Sequence, residues 1–293
     1  MITPATLSPR SSMKSKSAKA KFRLAGGAQP LILLPVEVNG QGPFDFILDT
    51  GAGTSLLSTQ LGEKLGVKVL GSKEGQSAGG AISVSLAKVS SLAVASAKLE
   101  DVDVGLVDLS HIGNTVGAQI DGDLGYNFLK HYRVLLDYRK SEIRLDDPKR
   151  AESVGRRSTA ITEVPLRLAS PAKPLILVDV FANGAGPFQF AVDTGTSTTA
   201  ITPELAKQLA VSSSPIDPAT TGGAHVQVTA GSLKSFQVGG ARIDDMTVVV
   251  ADFFAALSNV LGVKLDGIVG YNYLRNYKIV FDYPNETLGL FAP

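Results

Sequence analysis

The chain has 293 residues, of which 44% are apolar and 19% charged, enough to bury a sizeable core and, by length, to form two domains. Its longest apolar runs, Leu31 to Leu34 and Leu175 to Val178, fall far short of the ~20 residues a membrane-spanning helix needs. The absence of cysteine excludes disulfide scaffolds, thiolate zinc sites, Fe–S clusters and thiol nucleophiles. The net charge of +1 hides an asymmetry: Arg10, Lys14, Lys16, Lys19, Lys21 and Arg23 crowd the start, and the remainder carries 22 Lys+Arg against 27 Asp+Glu. Basic residues do not recur as stripes interleaved with aromatics, so nucleic acid is not an expected partner.

In chain order, residues 1–20 form a basic, Ser-rich leader that reads as a disordered tail. It lacks the apolar stretch of a signal peptide, and the compartment stays open. From about residue 21 the sequence repeats itself at a shift of 144. Pro30-Leu31-Ile32-Leu33 answers Pro174-Leu175-Ile176-Leu177, Asn39-Gly40 answers Asn183-Gly184, and Asp49-Thr50-Gly51 answers Asp193-Thr194-Gly195. Further on, Gly79-Gly80 answers Gly222-Gly223, and Asp121-Gly122-Asp123-Leu124-Gly125-Tyr126-Asn127 answers Asp266-Gly267-Ile268-Val269-Gly270-Tyr271-Asn272. Two lobes follow, 21–147 and 165–293, joined by a polar linker at 148–164.

Each lobe reads as all-β with one or two short helices. The Asn-Gly pairs lie between apolar runs and suit hairpin turns that require positive φ. Phe44 and Phe46, like Phe188 and Phe190, alternate with polar residues and put two rings on one face of a strand running into Asp49 or Asp193. Ser58 and Thr202 can cap the following helix, with Pro203 at its first position. Val84 and Leu86, and Val226 and Val228, alternate after the Gly pairs as in hairpin arms.

Few residues are placed for chemistry. Gly75-Gln76-Ser77-Ala78-Gly79 has the letters of a nucleophile elbow, but it lacks a strand before it and a helix after it, and reads as a Gly-rich loop. His111, His131 and His225 sit at unmatched places and read as solvated or capping, with no metal site among them. What remains is one Asp-Thr-Gly per lobe, each at the end of an apolar strand. A two-fold arrangement would bring both carboxyls together to share a proton, supplying a base and an acid in one site. Gly51 and Gly195 allow close approach of the partner lobe, and Thr50 and Thr194 can hydrogen-bond backbone across the pair. Thr196 can donate its hydroxyl to Asp193 whereas Ala52 has no side-chain donor for Asp49. The shared proton is therefore expected mainly on Asp49, with activity peaking at mildly acidic pH.

These motifs resemble the aspartic proteases, most closely the bacterial retropepsin-like aspartyl proteases, over both lobes. The resemblance implies an all-β fold with a few short helices, two acid-protease lobes in one chain forming a pseudo-two-fold dimer, as in pepsin, and a monomer. It implies that Asp49 and Asp193 are catalytic, that Thr50, Gly51, Thr194, Gly195 and Thr196 support the catalytic loops, and that Gly79, Gly80, Gly222 and Gly223 are flap positions over a peptide or protein substrate. Leu124-Gly125 and Val269-Gly270 would pack behind the loops, and no cofactor is implied. Three features depart from the family pattern. Asp123 stands where an apolar residue is expected, neither flap carries a Tyr, and Tyr126 and Tyr271 replace an Arg. Two readings follow: an aspartic endopeptidase, or a protease-fold protein that binds peptides or serves as a scaffold without turnover. Tyr126, Tyr132, Tyr138, Tyr271, Tyr277 and Tyr283 read as core or lobe interface.

Overall fold

Strand-period alternation and turn chemistry account for the central hairpin of each lobe. In a computed structural model that describes residues 10–13, 17–77, 80–148, 160–171, 173–216, 219–221 and 224–293, Leu31–Val38 pairs with Gln41–Leu48 across Asn39 and Gly40, whose φ are 54° and 74°. Lys173–Ala182 pairs with Ala185–Val192 across Asn183 and Gly184, with φ of 53° and 80°. Two successive positive φ values are what a type I′ turn needs, and Asn-Gly tolerates them best. Asn39 also accepts hydrogen bonds from the Ser90 amide and hydroxyl, both at 2.8 Å, which ties the turn to its neighbouring strand.

Beside each hairpin runs a short buried strand. Gly122–Leu124 is parallel to Gln41–Leu48, with Leu124 opposite Leu48, and antiparallel to Leu56–Ser58. Its counterpart Gly267–Val269 lies between Ala185–Val192 and Ala200–Ile201 with the same directions. Long antiparallel hairpins, Gly80–Val94 with Ala97–Val107 and Val228–Val238 with Ala241–Ala251, complete the two sheets. The helices Thr59–Lys64 and Pro203–Gln208 start where expected: the Ser58 hydroxyl accepts from the Leu61 amide at 3.1 Å and Thr202 from that of Leu205 at 3.0 Å.

The described residues of each lobe hold three short helices, more than the sequence suggested. The additions are Ser110–Val116 with Tyr126–Leu129, and Phe254–Leu261 with Tyr271–Leu274. The four-residue pair escaped notice because a single turn shows no 3.6 period.

The lobes meet in a six-stranded sheet. Arg133–Asp137 pairs antiparallel with Lys278–Asp282, Leu135 lying opposite Val280, and Glu142–Asp146 and Thr287–Phe291 flank this pair. Arg133 reaches Asp282 at 3.2 Å across the junction. Beneath lies an apolar cluster drawn from both halves, including Phe46, Leu136 and Ile143 with Phe190, Ile279 and Leu290. The tyrosines pack as read: Tyr126 against Tyr283 at 5.6 Å and Tyr138 against Tyr271 at 5.3 Å, each pair edge to face across the lobe boundary.

The leader and linker boundaries require correction. Residues 10–13 pair with 97–100, and Ser17–Lys21 adds an edge to the six-stranded sheet against Glu142–Asp146. Ala18 is buried and Ala20 packs on the core, while Lys19 and Lys21 alternate with them. A run of Lys conceals the period-2 pattern, and charged alternation is how an edge strand avoids further pairing. Similarly, Thr162–Pro165, placed in the linker by polarity, pairs with Thr287–Phe291. Residues 1–9, 14–16 and 149–159 lie outside the described residues.

Candidate active site

Each Asp-Thr-Gly stands where a buried strand ends against the other lobe. The Asp49 amide donates to the Leu124 carbonyl at 3.2 Å and the Asp193 amide to Val269 at 3.1 Å, so both loops are hung on the short strands behind them. The threonines interlock across the boundary. The Thr50 amide donates to Thr194 Oγ1 and the Thr194 amide to Thr50 Oγ1, each at 3.1 Å. The hydroxyls continue to the Val192 carbonyl at 3.0 Å and the Leu48 carbonyl at 2.7 Å. Four buried bonds thus fix the position of one loop relative to the other.

The glycines permit the final approach. A Cβ on Gly51 would lie 2.8 Å from Asp193 Cγ, and one on Gly195 would lie 2.9 Å from Asp49 Cγ. Any side chain at either place would push the lobes apart. The Cβ on Gly195 would also lie 3.2 Å from Asp193 Oδ1, so the two carboxyls face each other across this glycine.

Their surroundings correct one expectation. Thr196 Oγ1 donates to Asp193 Oδ2 at 2.7 Å and the Gly195 amide to Oδ1 at 2.7 Å. Asp49 Oδ1 accepts from the Gly51 amide at 2.6 Å and the Ala52 amide at 3.0 Å. Ala52, lacking a side-chain donor, serves through its backbone, and each aspartate receives two donors. Burial drives both carboxyls up. Asp49 rises to about 7, and Asp193 goes well above the usual carboxylate range, helped by the charge of Asp49. With two donors on each carboxyl, the hydrogen bonds give no preference for the proton on Asp49, unlike the sequence-based expectation.

The pair lies on the floor of a cleft of about 1130 Å³ lined by both lobes. Leu31, Ile47 and Ile112 face it from one side and Leu175, Phe253 and Leu257 from the other. Lys73, Glu74, Ile82 and Val84 of the hairpin formed by Val69–Ser77 and Gly80–Val94 line it too, and this hairpin approaches the helix Phe254–Leu261 of the other lobe. Gly80 opens the second arm of the hairpin, paired with Ser77. Gly79, Gly222 and Gly223 lie outside the described residues; the flanking strands Ala219–Thr221 and Ala224–Val226 pair with each other. Gly75–Ser77, read as loop, is strand.

Other residues at the site carried weaker signals. Asn127 Oδ1 accepts from the Ser55 amide at 2.8 Å and hydroxyl at 2.7 Å, and the Ser55 hydroxyl in turn accepts from the Gly125 amide at 3.0 Å. Thr199 and Asn272 repeat the arrangement, with Thr199 N to Asn272 Oδ1 at 2.8 Å and Gly270 N to Thr199 Oγ1 at 3.1 Å. The recurrence of Ser55 as Thr199 and of Asn127 as Asn272 was the available sign. His111 and His131 are corrected: the Nε2 of each is buried without a partner rather than solvated. Among the described residues no cluster of His, Cys, Asp or Glu is arranged to hold a metal ion, and no helix is long and apolar enough to cross a membrane.

A duplicated β lobe that brings two Asp-Thr-Gly loops face to face across a cleft defines an acid-protease architecture. A family model described as aspartyl protease matches the sequence twice, at residues 34–128 and 178–273, once in each lobe. The chain belongs to this retropepsin-like aspartyl protease family. No curated protein matches the sequence.

Proposed function

We propose that the chain is an aspartic endopeptidase that hydrolyses peptide bonds with a water activated between Asp49 and Asp193. The observation that carries this reading is the close facing of the two buried carboxyls on the floor of a cleft able to hold an extended peptide. A protein used only as a scaffold has no need of two buried carboxyls raised so far from their ordinary range, which is costly to maintain.

In the attack step the Asp49 carboxylate takes a proton from water while the water oxygen bonds to the scissile carbonyl carbon. Asp193 gives its proton to the carbonyl oxygen, and a neutral tetrahedral diol results. In the second step the amide nitrogen acquires a proton from the Asp49 carboxyl and the C–N bond breaks. A diol hydroxyl returns its proton to Asp193, leaving a carboxylic acid, an amine and the starting protonation state. The Gly51, Ala52 and Gly195 amides and the Thr196 hydroxyl hold the carboxyl planes throughout. Main-chain hydrogen bonds beneath the hairpins would hold the peptide extended, and the apolar walls favour apolar side chains on either side of the scissile bond. With Asp49 at about 7, activity rises through neutral pH rather than peaking in mild acid.

The test is cleavage of a mixed peptide library from pH 3 to 9 by wild type, Asp49→Asn and Asp193→Asn. Wild type should cleave, and each variant should lose at least about 10³-fold in kcat/KM, as expected when either half of an acid–base pair is removed. A folded wild type inactive at every pH would support the scaffold reading instead.

A further inference from the structure

Besides the exchange of Thr196 for Ala52, one difference between the lobes stands on the cleft floor. Ile268 of the strand Gly267–Val269 belongs to the apolar wall cluster formed with Leu175, Ala191 and Leu265. At the equivalent place in the strand Gly122–Leu124 stands Asp123, parallel-paired with Ile47, and both Asp123 and Ile268 line the cleft. A carboxyl has replaced a branched aliphatic side chain at a site 8% exposed to solvent. Such burial is unfavourable unless the group is paired or neutral.

Asp123 pairs with Ile47, two residues before Asp49, and the Asp49 amide donates to the Leu124 carbonyl, so strand alternation puts the two carboxyls on the same, cleft-facing side. The Oδ1 of Asp123 is buried and has no partner. A charged carboxyl with a buried bare oxygen forfeits hydration without compensation, and one proton shared between two neighbouring carboxyls reduces that cost. The charge of Asp193 acts on Asp123 and Asp49 acts on it as a hydrogen-bonding neighbour; Lys73, Glu74, Asp108, His111 and Lys173 are the other charged or titratable groups lining the cleft.

We propose that Asp123 is a third carboxyl of this site, a positioning residue that shares a proton with Asp49 and so sets the pH range in which the pair carries a single charge. The proposal rests on the protease reading for its consequence in activity, but the contact itself can be tested without turnover. Burial raises Asp123 to about 8, and the charge of Asp123 is the second-largest cause, after burial, of the rise of Asp49. Three carboxyls in contact cannot all ionise, so removing one lets the next lose its proton at lower pH. The symmetry of the molecule supplies the substitution: Ile occupies this position in the second lobe.

The experiment compares wild type, Asp123→Ile and the isosteric Asp123→Asn, each checked for cooperative thermal unfolding, with Asp49→Asn as a control. Carbon-13 NMR of labelled aspartate carboxyls gives the midpoint of Asp49, assigned by its disappearance in the control, and peptide-library cleavage gives the pH profile. The expected result is a fall of about one pH unit or more in the Asp49 midpoint in both variants, with the acidic limb of kcat/KM moving by the same amount. If wild type cleaves, the control does not, and neither midpoint nor limb moves, the proposal is overturned while the protease reading stands. If wild type cleaves nothing, the protease reading fails, and the NMR midpoint alone decides: a fall upholds the three-carboxyl contact and an unmoved midpoint overturns it.

Discussion

Thr196 and Asp123 act on different members of the carboxyl pair, and this separates their effects. The Thr196 hydroxyl stabilises the charged form of Asp193 from 2.7 Å. Thr196→Ala should therefore raise the pH at which Asp193 loses its proton and move the basic limb of the activity profile upward, leaving the acidic limb in place. Loss of Asp123 should move the acidic limb downward. A pH series of kcat/KM on Thr196→Ala checks the first effect; a profile superimposable on wild type would show that the hydroxyl does not reach the reacting form. At this scale the sequence was informative about letters and poor about contacts. It singled out Asp49, Asp193 and Thr196, but it assigned Ala52 no role because a backbone amide leaves no mark on residue identity. It also registered Asp123 only as a departure from an apolar pattern, since which face of a three-residue strand meets Asp49 depends on its pairing with the strand Gln41–Leu48.

Among the elements, the loops after each Asp-Thr-Gly depend on the segment packed behind them. Asn127 serves the Ser55 amide and hydroxyl and donates to the Asp103 carbonyl at 2.8 Å. Ser55 is fully buried, so its unpaired groups would bear the desolvation cost in the absence of Asn127. Asn127→Ala should destabilise the protein by about 2 to 4 kcal/mol in urea titration, given ~1 to 3 kcal/mol per buried group left unsatisfied, and lower kcat more than it raises KM. A loss under about 0.5 kcal/mol would mean that water replaces the amide and that the loop does not need this tether. The hairpins at Asn39-Gly40 and Asn183-Gly184 and the caps at Ser58 and Thr202 were legible because their chemistry is local. The edge strands Ser17–Lys21 and Thr162–Pro165 were not, because their partners lie more than 100 residues away and their composition is that of a linker.

For the whole molecule, the buried carboxyls make stability depend on pH. Asp49 and Asp123 have folded-state values of about 7 and about 8, against ~4 in an unfolded chain. A carboxyl raised on folding keeps its proton when the unfolded chain would lose it. Its contribution is complete below about pH 4 and is lost as pH rises through 7 to 8. The melting temperature, as far as these groups set it, should fall between pH 5 and pH 8.5, and Asp123→Ile should flatten that slope while raising stability at the alkaline end by on the order of a few kcal/mol. Calorimetry across this range checks both; a wild-type slope of opposite sign would show that the carboxyls are ionised in the folded protein. The cost is borne by a core common to both lobes, since the main apolar cluster and the six-stranded sheet each draw on both halves.

The sequence by itself determined the duplication, the strand-rich lobes, the local turns and caps and the candidate aspartates, because each is written in residues close along the chain or in the register of one copy against the other. The tertiary structure alone decided which donors reach each carboxyl, that the leader supplies a strand and that Asp123 is buried on the cleft beside the pair. These depend on groups far apart in sequence meeting at hydrogen-bond distance inside a desolvated site, where a shift of an ångström changes the interaction and the order of residues does not record it.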